Sequence, residues 1–164
     1  MKKKTAQDYG KEFEQDFQDE MKLAQRRMKI AYCRLYDTRS AGSYIPEQPG
    51  DFLATINGKS FLIECKTSLK YTTMAARRTA VTELVSDNQV AAARIWSRAG
   101  AIPIVLFRHG DSELIEVWRG EIVADIYLTP KASPTPDSIS AAVTMEKLIQ
   151  YLSTLEPLNR GIGQ

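Results

Sequence analysis

Apolar residues recur at Tyr9, Phe13, Phe17, Met21, Ala24 and Met28, with polar residues filling most positions between them. Steps of three and four place them on one stripe, which predicts an amphipathic helix over residues 8–30 with one face for a core. Residues 32–36 read as a short strand. Two apolar-rich runs, 51–56 and 59–67, are then joined by Asn57-Gly58. Both turn residues tolerate positive φ, so the pattern predicts a two-residue type I′ hairpin. Such a turn sets the register: Ile56 faces Lys59, Thr55 faces Ser60, and Asp51 faces Glu64. Period two puts Asp51, Glu64 and Lys66 on one face, with Phe52, Ala54, Ile56, Phe61, Ile63 and Cys65 on the other.

Between the first strand and the hairpin, residues 37–50 hold two Gly, two Pro and the hydroxyls of Thr38, Ser40 and Ser43, a loop composition. After the hairpin the pattern predicts a helix over 72–85, from Met74, Ala75, Arg78, Val81, Leu84 and Val85. A second helix is predicted over 88–99, with Asp87 as N-cap and Gly100 as its stop. Residues 102–107 read as a buried strand with Pro103 near its start. A turn at 109–112 leads to a strand over 113–118, and a turn at Arg119-Gly120 leads to 122–127 as the continuation of a meander. A Pro-rich connector fills 129–137. From Ser138 a closing helix is expected, carrying Ile139, Ala142, Val143, Leu148, Ile149, Leu152 and Leu155. The reading is one mixed α/β domain with its core in 1–128, the connector at 129–137, and a closing helix and tail at 138–164 packed on that core.

A chain of 164 residues is long enough for such a core. No apolar run approaches the roughly 18 residues of a membrane span. The basic start, Lys2 to Lys4, is not followed by an apolar stretch, so a cytoplasmic protein with no membrane partner is expected. Cys33 and Cys65 fall in predicted strands and are expected to be free, buried thiols; two cysteines offer no zinc spacing. His109 is the lone histidine and sits in a turn, which leaves histidine-based hydrolysis nothing to build on. No phosphate-cradling glycine motif is present, so no nucleotide cofactor is expected. Trp96 and Trp118 are expected in the core or at an interface. The net charge of +2 is small, but the basic residues are grouped: Lys2 to Lys4, Arg26-Arg27 with Lys29, Lys66 with Lys70, and Arg77-Arg78. Such grouping fits a nucleic-acid-binding face.

The hairpin carries the chemistry. Directly opposed side chains have Cβ atoms about 4.5–5.5 Å apart, and like charges so placed are destabilising. A divalent cation held between Asp51 and Glu64 would account for the pair.

Pro49-Gly50-Asp51, followed across the hairpin by Glu64-Cys65-Lys66, resembles the PD-(D/E)xK nuclease signature. The preceding amphipathic helix, the later helix bearing Gln89 and the buried strand after it extend the likeness, which runs from about Gly10 to Trp118. The arrangement is similar to that of Holliday-junction resolvases of the archaeal and RecU types. Gly10-Lys-Glu-Phe13-Glu14 looks like their Gly-x-x-x-Glu opening, and Gln89 matches a glutamine often found in their later helix. The short loop before Asp51 is nearer the archaeal pattern. The connector and closing helix have no counterpart in the likeness.

The resemblance implies a restriction-endonuclease-like core, a central mixed β-sheet flanked by helices. It implies Mg2+ (with Mn2+ as a substitute) held by Asp51, Glu64 and the backbone carbonyl of Cys65. Glu14 would complete the metal shell, though Asp16 and Glu20 also border the helical stripe. Lys66 would orient the attacking water or stabilise phosphoryl charge, and Gln89 would assist. A loop hydroxyl of Thr38, Ser40 or Ser43 would lie before the aspartate. Arg39, Ser40, Lys70, Arg77 and Arg78 are the candidate DNA contacts. The expected activity is metal-dependent phosphodiester hydrolysis in branched DNA, as a Holliday-junction resolvase. Two symmetric incisions would call for a homodimer, joined through the closing helix or the strand around Trp118. Two other readings stand beside it: a nicking, restriction-like or DNA-end-processing nuclease on the same fold, and a non-catalytic DNA-binding or assembly protein.

Overall fold

The computed structural model describes residues 4–35, 48–69, 83–110, 112–129 and 139–158. Helix α1 (Ala6–Ala24) opens on a reciprocal cap. The Thr5 hydroxyl accepts from the Asp8 N–H at 3.2 Å, and the Asp8 carboxylate accepts from the Thr5 N–H at 2.8 Å. Its stripe is the expected one, with Phe13, Phe17 and Met21 fully buried. The helix ends six residues earlier than its periodicity suggested. A turn follows in which Met28 still packs against the core, because Ile30 begins a strand that pairs with Ile56.

Among the described residues six strands form one sheet in chain order: β1 (Ile30–Arg34), β2 (Phe52–Ile56), β3 (Lys59–Ser68), β4 (Ile102–His109), β5 (Leu114–Arg119) and β6 (Ile139–Thr144). Strands β3 and β4 run parallel, and every other neighbouring pair is antiparallel. A parallel pair needs a crossover, and helix α2 (Asp87–Arg98) lies within it. The β2–β3 hairpin has the expected register, Ile56 against Lys59 through Phe52 against Ile63, with Asn57 at φ 51° and Gly58 at φ 83°.

Side-chain alternation then sorts the sheet into two faces. Phe52, Ala54, Ile56, Phe61, Ile63, Cys65, Ile104 and Leu106 pack with Phe13, Phe17 and Met21 of α1 and with Leu148, Ile149 and Leu152 of the last helix. Val105, Phe107 and Trp118 pack on the other face with Val85, Val90, Val123 and Ala124. The result is a mixed sheet between two helical layers, the expected fold class.

Other expectations are corrected as well. Residues 122–127 are not a strand. They lie in helix α3 (Gly120–Leu128), which packs beside α2. A Cβ on Gly120 would stand 2.7 Å from the Pro103 side chain, so this glycine lets the helix start pressed against β4. Glu121 then buries its carboxylate, accepting from the Ser97 hydroxyl at 3.0 Å. The closing helix does not begin at Ser138. Residues 139–144 instead form β6 against β5, and helix α4 spans Met145–Thr154. The N-cap of α2 is Ser86 rather than Asp87. Cys33 is an exposed thiol, while Cys65 is buried; both are free. The predicted strands 32–36, 102–107 and 113–118 also slide by one or two residues at their ends, the usual uncertainty of an element boundary.

The last helix is tied to the core. Lys59 Nζ donates to the carbonyls of Ser153 at 3.1 Å and Leu155 at 2.9 Å, capping the end of α4. Arg119 donates to the carbonyl of Glu156 at 2.8 Å. The strand around Trp118 is interior to the sheet, with Ile115, Val117 and Trp118 buried, so it is not open as a dimer surface. The predicted helix over 72–85 falls outside the described residues except for 83–85. The Pro-rich connector falls outside them except for Thr129.

Candidate active site

Asp51 is held from two sides, by β3 and by the residue that follows β1. Its N–H donates to the Ile63 carbonyl at 2.9 Å, and its carbonyl accepts from the Leu35 N–H at 2.7 Å. Its carboxylate accepts from the Cys65 N–H at 2.7 Å. A strand residue presents its N–H and C=O to the same edge, so the Cys65 carbonyl is turned towards the edge where Asp51 lies.

The β2–β3 pairing ends at Phe52 against Ile63, and Glu64 is the next residue along β3, close enough for its charge to act on Asp51. Leu62, Val85, Val90 and Val105 line a small apolar hollow beside Glu64, which strips water from its carboxylate. One oxygen, Oε1, accepts from Lys66 Nζ at 2.6 Å and from Gln89 Nε2 at 2.6 Å. The other, Oε2, is buried and has no hydrogen-bond partner among the described residues. An unsatisfied, buried carboxylate oxygen is costly.

Gln89 reaches Glu64 because the N-terminus of α2 fixes it. The Ser86 hydroxyl accepts from the Gln89 N–H at 3.3 Å, and the Gln89 side-chain oxygen accepts from the Ser86 N–H at 3.0 Å. This capping box uses the amide oxygen and leaves the amide NH2 for Glu64. The motif Ser86-x-x-Gln89 was readable in the sequence; its aim at Glu64 was not.

The electrostatics follow from this packing. Burial first, then the charge on Glu64, pushes the Asp51 carboxyl up to about 7, with Glu14 adding to the push. The Cys65 N–H and Lys66 act in the opposite sense. Burial also raises Glu64 above the ordinary carboxylate range, against the lowering pull of Lys66 and Gln89. The Cys65 thiol is raised well above its usual value, by burial and then by the neighbouring carboxylates. Among the described residues the site is thus an acidic centre with Lys66 drawn onto Glu64.

Among the three acidic candidates on α1, geometry separates Glu14 from the others. Glu14 adds to the negative potential at Asp51, Glu64 and Cys65, and it forms an ion pair with Arg34. Asp16 instead binds Arg108 at 2.7 Å, and that guanidinium lies 4.6 Å from the Phe13 ring centroid. Glu20 lies in a groove beside Arg27 and Glu146, away from the hairpin. Arg34 was not picked out from the sequence. Sixteen residues lie between it and Asp51 along the chain, and the β1–β2 register brings Arg34 opposite Phe52, next to Asp51.

The donor set fits a hard divalent cation. A buried carboxylate, Glu64, and a half-buried one, Asp51, lie close together, one Glu64 oxygen is unpartnered among the described residues, and a backbone carbonyl is turned to the same edge. Among the described residues no group of three or more His, Cys, Asp or Glu side chains is placed to hold a metal. Magnesium does not require one, since it is commonly bound through one or two carboxylates with several waters retained. The candidate DNA contacts Arg39, Ser40, Lys70, Arg77 and Arg78, and the loop hydroxyls of Thr38 and Ser43, lie outside the described residues. His109 ends β4 at the turn, half-buried.

Neither a protein-family model nor a curated protein matches the chain. Among solved structures, it is similar to Archaeoglobus fulgidus Hjc, a Holliday junction resolvase from an archaeal hyperthermophile. That likeness has a TM-score of 0.51 and 16% sequence identity, over 85% of this chain and 99% of the other. At this identity the likeness is one of fold. Among the described residues no helix is long and apolar enough to cross a membrane.

Proposed function

We propose that this protein is a metal-dependent endonuclease that hydrolyses phosphodiester bonds in branched DNA, with four-way junctions as its preferred substrate. The observation that carries the reading is the close pair of carboxylates, half-buried Asp51 and buried Glu64, with Lys66 beside them. Burial of two like charges against one lysine costs stability without a further cation, and a nuclease centre uses that vacancy of charge. The fold likeness to a Holliday junction resolvase supports the choice of substrate.

Asp51, Glu64 and the Cys65 carbonyl would hold Mg2+, with Glu14 contributing directly or through water. When bound, the ion supplies charge neutralisation for the phosphodiester and a more acidic water. Gln89 fixes the carboxylate of Glu64 through an amide that the helix cap orients. Lys66 stands on Glu64 and projects from the same strand face, where its ammonium would hold the attacking water or balance charge on the phosphoryl oxygens. Arg39, Ser40, Lys70, Arg77 and Arg78 would meet the DNA backbone, fixing its register on the protein. Two symmetric incisions are naturally made by a two-fold homodimer.

The test is cleavage of a labelled four-way junction beside matched linear duplex, with Mg2+ or EDTA, for wild type and Asp51→Asn. Paired symmetric nicks on the junction alone, requiring Mg2+ and Asp51, are expected. Equal cleavage of linear duplex would move the function to a general nicking or end-processing nuclease. Tight junction binding with no cleavage under any metal would overturn the enzymatic reading in favour of a DNA-binding protein.

A further inference from the structure

Arg34 ends β1 opposite Phe52, the residue after Asp51, and the next N–H along, that of Leu35, donates to the Asp51 carbonyl. Its guanidinium lies 5.9 Å from the Phe52 ring centroid and forms an ion pair with Glu14. The side chains of both partners are 24% exposed. The pair is thus partly open to solvent, and its Glu14 member adds to the negative potential at Asp51 and Glu64. Lys66 is drawn onto Glu64 and Arg34 onto Glu14, so each of these two carboxylates is already engaged before any metal arrives. Glu14 has to leave Arg34, at least in part, to serve a cation between Asp51 and Glu64.

A guanidinium binds phosphate with the same planar fork that it offers a carboxylate. A DNA phosphate at this open side is therefore a competitor for Arg34, and its capture would free Glu14. From this geometry, and on the nuclease reading above, we propose that Arg34 is a positioning residue that holds Glu14 in reserve and surrenders it when a phosphate of the bound strand takes its place. DNA and divalent cation then bind cooperatively. The ion is held weakly by the free protein and tightly in the complex, which keeps a hydrolytic centre from assembling without substrate. By linkage the effect is reciprocal: the ion strengthens DNA binding by the same factor.

The experiment measures ion binding directly. Mn2+ affinity of the DNA-free protein is read by electron paramagnetic resonance for wild type, Arg34→Gln, Glu14→Gln and the double variant. Ca2+ affinity is then read by calorimetry with and without a four-way junction, and far-ultraviolet circular dichroism establishes that each variant is folded. Without DNA, Arg34→Gln is expected to bind Mn2+ at least about 5-fold more tightly than wild type, the lower end of typical couplings. That gain should vanish in the Glu14→Gln background. Adding the junction should tighten Ca2+ binding by a similar factor in wild type and leave Arg34→Gln nearly unchanged. Arg34→Lys, which keeps the charge but lacks the fork, should fall between and serves if Arg34→Gln does not fold.

Equal Mn2+ affinity in wild type and Arg34→Gln would overturn the proposal. A gain that persists in full with Glu14→Gln would also overturn it, since the arginine would then act only as a nearby charge. A wild-type protein that cleaves junctions but shows no coupling removes this inference and leaves the nuclease reading intact. A protein that binds no DNA removes the phosphate trigger together with that reading, while the DNA-free arms still decide whether Arg34 restrains Glu14.

Discussion

Replacing Asp51 with Asn should make the metal-free protein more stable at alkaline pH, the reverse of what most substitutions at a buried, hydrogen-bonded position do. The Asn oxygen can still accept from the Cys65 N–H, while the charge that repels Glu64 is gone. The folded-state carboxyl of Asp51 titrates near 7 against 3.8 for an ordinary aspartate. At about 1.4 kcal/mol per pH unit this difference corresponds to about 4 kcal/mol, which relaxation and water entry reduce to roughly 2–4 kcal/mol. The sign follows from proton counting. Between about pH 4 and 7 the folded protein holds a proton on Asp51 that the unfolded chain has released. Rising pH therefore destabilises wild type through that window, and the full penalty remains above it. Asp51→Asn lacks the penalty, so its advantage should be absent below pH 4, grow up to about pH 7 and then level off. The assay is thermal unfolding in EDTA across pH 4 to 9, wild type beside the variant. An advantage of roughly 5–15 °C at pH 8 is expected for a chain of this size. Excess Mg2+ should raise the melting temperature of wild type and leave Asp51→Asn unmoved. A variant no more stable than wild type at pH 8 would refute the picture of a buried, repelling carboxylate pair.

Three further outcomes follow from the same geometry. Gln89→Ala removes both the anchor of Glu64 and half of the α2 cap, whereas Ser86→Ala removes the other half of the cap. Each should cost about 1 kcal/mol in urea unfolding, but junction cleavage should fall much further for Gln89→Ala, and equal losses would assign Gln89 a capping role alone. Gly120→Ala places a methyl 2.7 Å from the Pro103 side chain and should cost about 1–3 kcal/mol by overpacking, measurable by chemical denaturation; a neutral effect would mean that α3 shifts freely on β4. Phe17→Ala, in the fully buried stripe of α1, should cost about 3–5 kcal/mol, and a loss below about 1 kcal/mol would place α1 outside the cooperative core.

Local rules made part of this fold legible. Asn57-Gly58 admits one kind of turn, and that turn fixes the register that sets Asp51 against Glu64. The stripe from Phe13 to Met21 has one helical face to bury, and it buries it. The nearness of Glu64 to Lys66 needs only the period of a strand. These features survive without knowledge of the rest of the chain because each is decided within a few residues.

Other features depended on packing between distant segments. Residues 120–128 carry Ile, Val and Ala in a run that suits a strand or a helix, and the choice was made by the groove beside α2 and by Pro103 beneath Gly120. Residues 139–144 joined the sheet because β5 offered an unpaired edge, which no local pattern announces. Gln89 was visible as a polar residue in the first helical turn, but only the parallel crossover carried that turn over Glu64. That Glu14, of the three acidic residues, lies within electrostatic reach of Asp51 and Glu64 likewise depends on how α1 packs on the sheet. The sequence by itself determined the hairpin, its facing carboxylates and the helix that covers its back, since turn chemistry and periodicity act at short range. Only the tertiary structure decided which helices close the site, how its charges are compensated and where the final strand lies, because those depend on surfaces that exist only once the sheet has formed.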